Sequence, residues 1–330
     1  MPLINPRIVI TGAAGFIGSR LLARLNETTS AEDILAVDHP ISQRKVTNLA
    51  VAPDVSFLTH TAFIEALESG SLSPEVIFHM GACSSTVETD WRYLAENNIR
   101  YSQRIWEWSA ANGRQFIYAS SAATYGDGTH GFDDEYDIQN LRPLNLYGKS
   151  KHDFDLWVEA QTQKDRARPA QCVGLKFFNV YGPGESHKGR MASMVFHGWN
   201  QLRDTGAVRL FKSHHSDYAD GGQLRDFIYV ADVVDVILTL TKQPQVSGLF
   251  NLGTGRAHSF RSLIEELFRA VGQPPNIEYI PMPRDLRSKY QYFTEAKMRK
   301  LTEAGISFSP TPLSDAVADY AQWLRANAPI

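Results

Sequence analysis

Seven residues, Gly12-Ala13-Ala14-Gly15-Phe16-Ile17-Gly18, limit what this chain can fold into more than any other stretch. They follow Arg7-Ile8-Val9-Ile10-Thr11, a β-branched run that reads as a buried strand. They open onto Phe16 to Leu25, whose apolar residues recur at helical spacing. Gly12 permits the tight turn, Gly15 lets backbone approach a pyrophosphate, and Gly18 lets helix and strand pack closely. The helix N-terminus then offers unpaired N–H groups and the positive end of its dipole to phosphates. Relative to G-x-G-x-x-G, the first gap is one residue longer. The chain is expected to begin with a dinucleotide-binding βαβ unit.

The alternation continues through Ile34 to Asp38, Val76 to His79, Phe116 to Ala119 and Val173 to Phe177, all short runs fit for buried parallel strands. Helices are expected at about 90–112, 147–163, 190–203, 230–242, 259–272 and 312–326. This predicts an α/β fold of Rossmann type, a doubly wound parallel sheet. Beyond residue 178 the alternation loosens. The expected division is therefore 1–178 as a NAD(P)-binding domain, with 225–253 returning to it, and 179–330 as a smaller α/β substrate-binding domain. Lys212 to Gln223, with His214, His215, Asp217 and Asp220, reads as a solvated loop and no metal site is expected. A net charge of −3 argues against nucleic acid or an anionic membrane as partner. No run reaches the roughly 18 apolar residues of a membrane span, and the start of the chain has no secretory pattern. Cys83 and Cys172 are far apart and are expected to be reduced thiols. Together these features predict a cytoplasmic protein.

The chemistry-bearing residues gather at expected carboxyl ends of strands. Asp38 ends the second strand, where a carboxylate can accept from ribose hydroxyls. By itself it favours NAD, but Arg44, Lys45 and a protonated His60 could neutralise a 2′-phosphate, so charge leaves NAD and NADP both open. Gly81-Ala82-Cys83 supplies small residues where backbone must pass close to a cofactor. The strand at Phe116 runs into Ser120-Ser121, and twenty-six residues after Ser121 comes Tyr147, with Lys151 four further on. That spacing stacks phenol and ammonium on one helix face. A phenol with a pKa of about 10 must give up its proton near neutrality, and a nearby ammonium and the cationic nicotinamide both favour phenolate. Ser121 can hold the substrate oxygen against the tyrosine. Lys188, in His187-Lys188-Gly189, brings a second proton-transfer group from another segment. One such group suffices for a reductase; two suit inversion of a stereocentre.

Thr11-Gly12 to Gly18, Asp38, Ser121, Tyr147 and Lys151 resemble the extended short-chain dehydrogenase/reductase family. Arg225-Asp226-Phe227-Ile228-Tyr229-Val230-Ala231-Asp232-Val233 and Asn251-Leu252-Gly253-Thr254-Gly255 match its sugar-nucleotide branch. The blocks around Gly81 to Thr86, Tyr118 to Gly126, Pro143 to Gly148, Phe178 to Pro183 and His187 to Ser193 are similar to the members that epimerise an ADP-heptose at C6″ for the lipopolysaccharide inner core. The resemblance implies tightly bound NADP, a nucleotide sugar between two domains, and a homo-oligomer. It implies that Tyr147 and Lys188 act as acid–bases, one per stereoisomer, with Lys151 tuning the tyrosine. It also places Phe16, Ile17, Asp38, Lys45 and Asn97 near the cofactor, with His187 shaping the turn or touching it. Asn179, Arg190, His197, Leu210, Phe211, Arg225 and Tyr290 would fall near substrate, although Leu210 and Phe211 fit a core equally well. Three positions depart from the pattern: Arg190 for a serine, Met80 for a glutamate, and His60 for a lysine. The Lys212 to Leu224 connection is also longer than usual. The rival readings are a nucleotide-sugar 4-epimerase or reductase of the same family, and a non-catalytic NAD(P)-binding protein. Ala122-Ala123, where a 4,6-dehydratase carries Asp-Glu, argues against a dehydratase.

Overall fold

The computed structural model describes residues 6–40, 42, 45–164, 166–287 and 290–327. Among the described residues, twelve strands run in chain order as β1 (Ile8–Thr11), β2 (Ile34–Asp38), β3 (Ser56–Thr59), β4 (Val76–His79), β5 (Gln115–Ser121), β6 (Gln171–Phe177), β7 (Asn179–Tyr181), β8 (Val208–Phe211), β9 (Leu224–Tyr229), β10 (Gly248–Leu252), β11 (Ala257–Ser259) and β12 (Ile277–Ile280). Seven form one parallel sheet in the order β3-β2-β1-β4-β5-β6-β10. Residues alternate between its faces. Ile10, Ile34, Phe78, Ile117 and Leu175 meet helices Phe16–Asn26 and Val230–Thr241 on one side. Val9, Leu35, Ile77, Phe116 and Tyr118 meet helices His60–Glu68, Tyr101–Ala111 and Leu146–Thr162 on the other. Burial on both faces is why these strands read as continuous apolar runs. The strand order reverses between β1 and β4, and that switch point opens the crevice where such sheets take ligands.

The rest of the chain builds a second core from helices Met194–Thr205, Phe260–Val271 and Leu313–Asn327 with β8, β9 and β12. The segment 225–253 divides between the two. β10 pairs with β6 at the edge of the large sheet, and helix Val230–Thr241 packs on its face. β9 instead lies between β7 and β11 in a separate three-stranded sheet. Met298, Leu301 and Ile306 also pack against the first core.

Two expectations change. The helix expected over 190–203 starts at Met194, because residues 186–191 form a tighter turn with Gly189 at φ 54°. The helix expected over 90–112 is interrupted by a π-helical segment, Ala95–Arg100. The 212–223 segment is a loop, largely exposed over 212–220 as expected, in which Ser213 N–H donates to Asp220 (2.8 Å) and His214 N–H to the Tyr292 hydroxyl (3.0 Å). Among the described residues, no group of three His, Cys, Asp or Glu side chains is placed to hold a metal. Among them, too, no helix is long and apolar enough to cross a membrane.

Candidate active site

A cavity of about 1010 Å³ runs along the carboxyl edge of the large sheet and reaches under β7 and β9. Its floor is the glycine turn. Gly12 has φ 68°, and a Cβ there would lie 2.6 Å from Gly81 Cα; one on Gly18 would lie 2.1 Å from Gly12 O. A side chain at Gly12 would push the turn away from the Met80–Gly81 loop, and one at Gly18 would force the turn itself open, so this backbone cradle depends on glycine at both positions. Asp38 closes its far end. Ala14 N–H donates to Oδ2 (2.9 Å), while His39 N–H (2.8 Å) and the Lys45 ammonium (3.1 Å) reach Oδ1. The His39 and His60 rings stack beside it with centroids 3.8 Å apart. Burial, then the His39 charge, lowers the His60 pKa. Arg44 lies outside the described residues.

Two residues that the sequence reading did not single out hold this floor. Asn98, on the π-helical segment, accepts from Cys83 N–H (2.8 Å) and donates to Cys83 O (2.9 Å) and Ser150 Oγ (2.9 Å). It fastens the Gly81-Ala82-Cys83 loop to the Tyr147 helix and leaves Asn97 facing the cavity. Asn48 donates to Ala14 O (3.2 Å) and Gly184 O (3.0 Å), joining the glycine turn to the Lys188 segment. Neither carries a motif, since each acts on chain far from it in sequence. A register change inside a helix, however, is a known mark of functional sites.

One wall is a single helix face. Asn145 caps helix Leu146–Thr162 by accepting from Gly148 N–H (2.8 Å). A Cβ on Gly148 would sit 2.7 Å from Ala123 O, so glycine lets this first turn press against the serine loop. Tyr147, Lys151 and Ser121 all line the cavity. Burial raises the Tyr147 pKa, and a hydrogen bond with Ser121 opposes it. The expected lowering by Lys151 does not dominate here: the Lys151 ammonium donates to Ala119 O (2.8 Å) instead. Burial brings Lys151 itself down to about 8, opposed by the Asp155 charge. Asp155, one turn further along, is buried and accepts from Ser120 Oγ (2.6 Å) and the Tyr118 hydroxyl (3.0 Å).

The turn 186–191 lines the same cavity. It presents Lys188, whose ammonium lies 5.1 Å from the centre of the Phe16 ring. Burial lowers the Lys188 pKa and the Glu185 charge opposes this. His187 Nδ1 is 3.1 Å from Gly184 O, to which it can donate. Arg190 is exposed on the cavity rim. Asn179 and Tyr290 line the far end with Arg225. Arg225 is buried between the Phe260 and Tyr290 rings, 5.6 and 5.3 Å from their centres, and donates to Leu224 O (2.7 Å) and to Gln291 O. Among the described residues no carboxylate pairs with it. His197, Leu210 and Phe211 do not line the cavity. Leu210 is 3% exposed in the second core, and Phe211 sets its ring edge on Tyr290.

A glycine cradle at the switch point of a parallel sheet, sharing one cavity with a strand-end serine and a Tyr-x-x-x-Lys helix face, defines an enzyme that works with a nicotinamide dinucleotide on a carbinol or carbonyl carbon. The chain belongs to the NAD dependent epimerase/dehydratase family, whose model matches residues 8–253. It is 47% identical over 325 residues to the ADP-L-glycero-D-manno-heptose-6-epimerase of Nitratidesulfovibrio vulgaris, covering 97% of this chain and 99% of the relative. With the enzyme of the same name from Fusobacterium nucleatum it shares 44% identity over 96% of this chain and 97% of the relative. Among solved structures, the Helicobacter pylori ADP-L-glycero-D-manno-heptose-6-epimerase superposes with a TM-score of 0.79 at 25% identity, covering 98% of both chains.

Proposed function

We propose that the protein is an isomerase that interconverts ADP-D-glycero-D-manno-heptose and ADP-L-glycero-D-manno-heptose at C6″, using tightly bound NADP. Full-length relatives named for this reaction supply the substrate. The observation that carries the mechanism is that two candidate acid–base groups, Tyr147 and Lys188, carried by separate segments of the chain, line one cavity. An unactivated carbinol carbon cannot be inverted through a bare carbanion, because nothing stabilises the charge. A nicotinamide, when bound, supplies reversible hydride transfer. Tyr147 then holds or moves the proton of the C6″ oxygen for one epimer, with Ser121 holding that oxygen. Lys188 does the same for the other epimer, whose oxygen is placed elsewhere. Burial lowers its pKa, which makes the ammonium more willing to return a proton and leaves more of the neutral amine available to take one near neutral pH. Lys151 helps hold the cofactor's ribose, Asp38 faces the adenosine ribose, and Lys45, His39 and His60 surround a position fit for a 2′-phosphate. Arg225, a buried cation with no carboxylate partner among the described residues, suits the substrate's diphosphate.

This reading places the cofactor on residues 1–178 and the sugar nucleotide under the smaller unit. It puts the enzyme in the cytoplasm as a homo-oligomer, feeding lipopolysaccharide synthesis. The test is incubation of the purified protein with ADP-D-glycero-D-manno-heptose and separation of the two epimers. No conversion, with turnover of a UDP-hexose instead, would move the assignment to the 4-epimerase rival. A protein that binds cofactor yet exchanges no deuterium between bound reduced cofactor and any sugar nucleotide would be the non-catalytic alternative. Denaturation and analysis of the released nucleotide decides between NADP and NAD.

A further inference from the structure

Glu185 is fully buried, yet it belongs to no motif that pointed to chemistry. Its carboxylate spans the base of the turn that carries Lys188. Oε1 accepts from Ser193 Oγ (2.6 Å) and Gly182 N–H (3.4 Å), and Oε2 accepts from Ser193 N–H (2.6 Å). Its backbone carbonyl accepts from Lys188 N–H (2.9 Å). One residue thus holds the chain before, within and after the turn. Ser193 passes this anchorage on, since its Oγ accepts from Phe196 N–H (3.3 Å) and caps helix Met194–Thr205. Without these bonds, a six-residue turn containing a glycine at positive φ would have few constraints on where its lysine sits.

We infer that Glu185 is the positioning residue for Lys188: its carboxylate and backbone carbonyl pin the chain before, within and after the turn that carries the lysine. The inference rests on the reading of Lys188 as the second acid–base. Among the described residues, Glu185 is the carboxylate whose charge acts on Lys188. His187 flanks Lys188 on the same turn, Lys45 and Asp38 act on His187 from the cofactor side, and Phe16 presents an uncharged ring. From the C-terminal helix, the Tyr320 hydroxyl faces Glu185, and burial together with the Glu185 charge raises its pKa. Removing the carboxylate charge therefore leaves burial unopposed at Lys188, and the lysine loses its proton at lower pH.

The experiment compares wild type with Glu185→Gln, both as purified with bound cofactor. Two readouts are needed: the pH dependence of Lys188 acetylation, followed by mass spectrometry, and kcat and KM for ADP-heptose epimerisation. The expected result is a Lys188 titration moved to lower pH, with kcat reduced about 10²-fold and KM little changed, the signature of a misplaced group and not of lost binding. An unmoved titration, or a wild-type kcat, overturns the inference. If Glu185→Gln does not fold, Glu185→Asp keeps the charge on a shorter arm; it should titrate Lys188 close to wild type while lowering kcat, and a wild-type kcat would then sink the proposal. Lys188→Met separates the two claims. An active Lys188→Met enzyme defeats the role of Lys188 itself. An inactive one beside a normal Glu185→Gln enzyme defeats only the role of Glu185.

Discussion

The helix and the turn that line the cavity place their candidate acid–base groups by different physics. Tyr147 and Lys151 sit four residues apart on one helix, so their alignment is a local consequence of helical geometry. Their surroundings are a strand end and a capped first turn, each made from nearby residues. Lys188 sits on a turn with no regular periodicity. Its place depends on Glu185 reaching Ser193, and on Asn48 reaching across 136 residues to Gly184. The helix wall is stiff because its backbone is hydrogen-bonded throughout. The turn wall is stiff only because buried side chains tie it down. On the proposed two-base reading, one group would sit on a rigid helix and the other on a clamped turn.

Tests of this contrast range from abolished chemistry to unaffected chemistry. Tyr147→Phe removes the phenolic proton and should lower epimerisation by about 10³-fold while bound nucleotide is retained; activity within threefold of wild type would remove the helix wall from the mechanism. Lys188→Met should cost about 10²-fold or more, again with nucleotide retained. A loss equal to that of Tyr147→Phe would show the two groups acting as one unit, as intermediate trapping or single-direction assays could then resolve. Asp155→Asn probes the helix wall one turn away. The Asp155 charge opposes burial at Lys151, which titrates at about 8. Neutralising it lowers that pKa further, so the alkaline limb set by the Lys151 ammonium should move to lower pH, with about a tenfold loss at pH 8. A pH–rate profile identical to wild type would mean that Asp155 serves packing alone. Leu210→Ala should leave KM and kcat nearly unchanged while lowering stability by about 3 kcal/mol, as for a buried leucine. A raised KM without lost stability, measured by thermal unfolding, would return Leu210 to the substrate site.

Much of the helix wall and the cofactor floor was legible beforehand. Gly12, Gly15, Gly18, Asp38, Ser121, Tyr147 and Lys151 lie next to the strands and helices that display them, so their spacing carried their geometry. β3 was not read from the sequence, since it is a half-exposed edge strand with a weak pattern. The start of the helix at Met194 was misjudged because the glycine at positive φ and the serine cap end one turn and begin another. Asn48, Asn98 and Glu185 went unnoticed for a common reason: each is a polar residue whose partners are distant in sequence or buried.

The amino-acid sequence by itself determined the parallel sheet, the glycine cradle and the Tyr-x-x-x-Lys face, because strand burial, turn sterics and helical periodicity are properties of neighbouring residues. Only the tertiary structure decided that Lys188 faces the same cavity as Tyr147, that Lys151 points its ammonium at Ala119, and that Leu210 belongs to a core. Those outcomes rest on burial and on hydrogen bonds between segments far apart in the chain, and no local pattern encodes them.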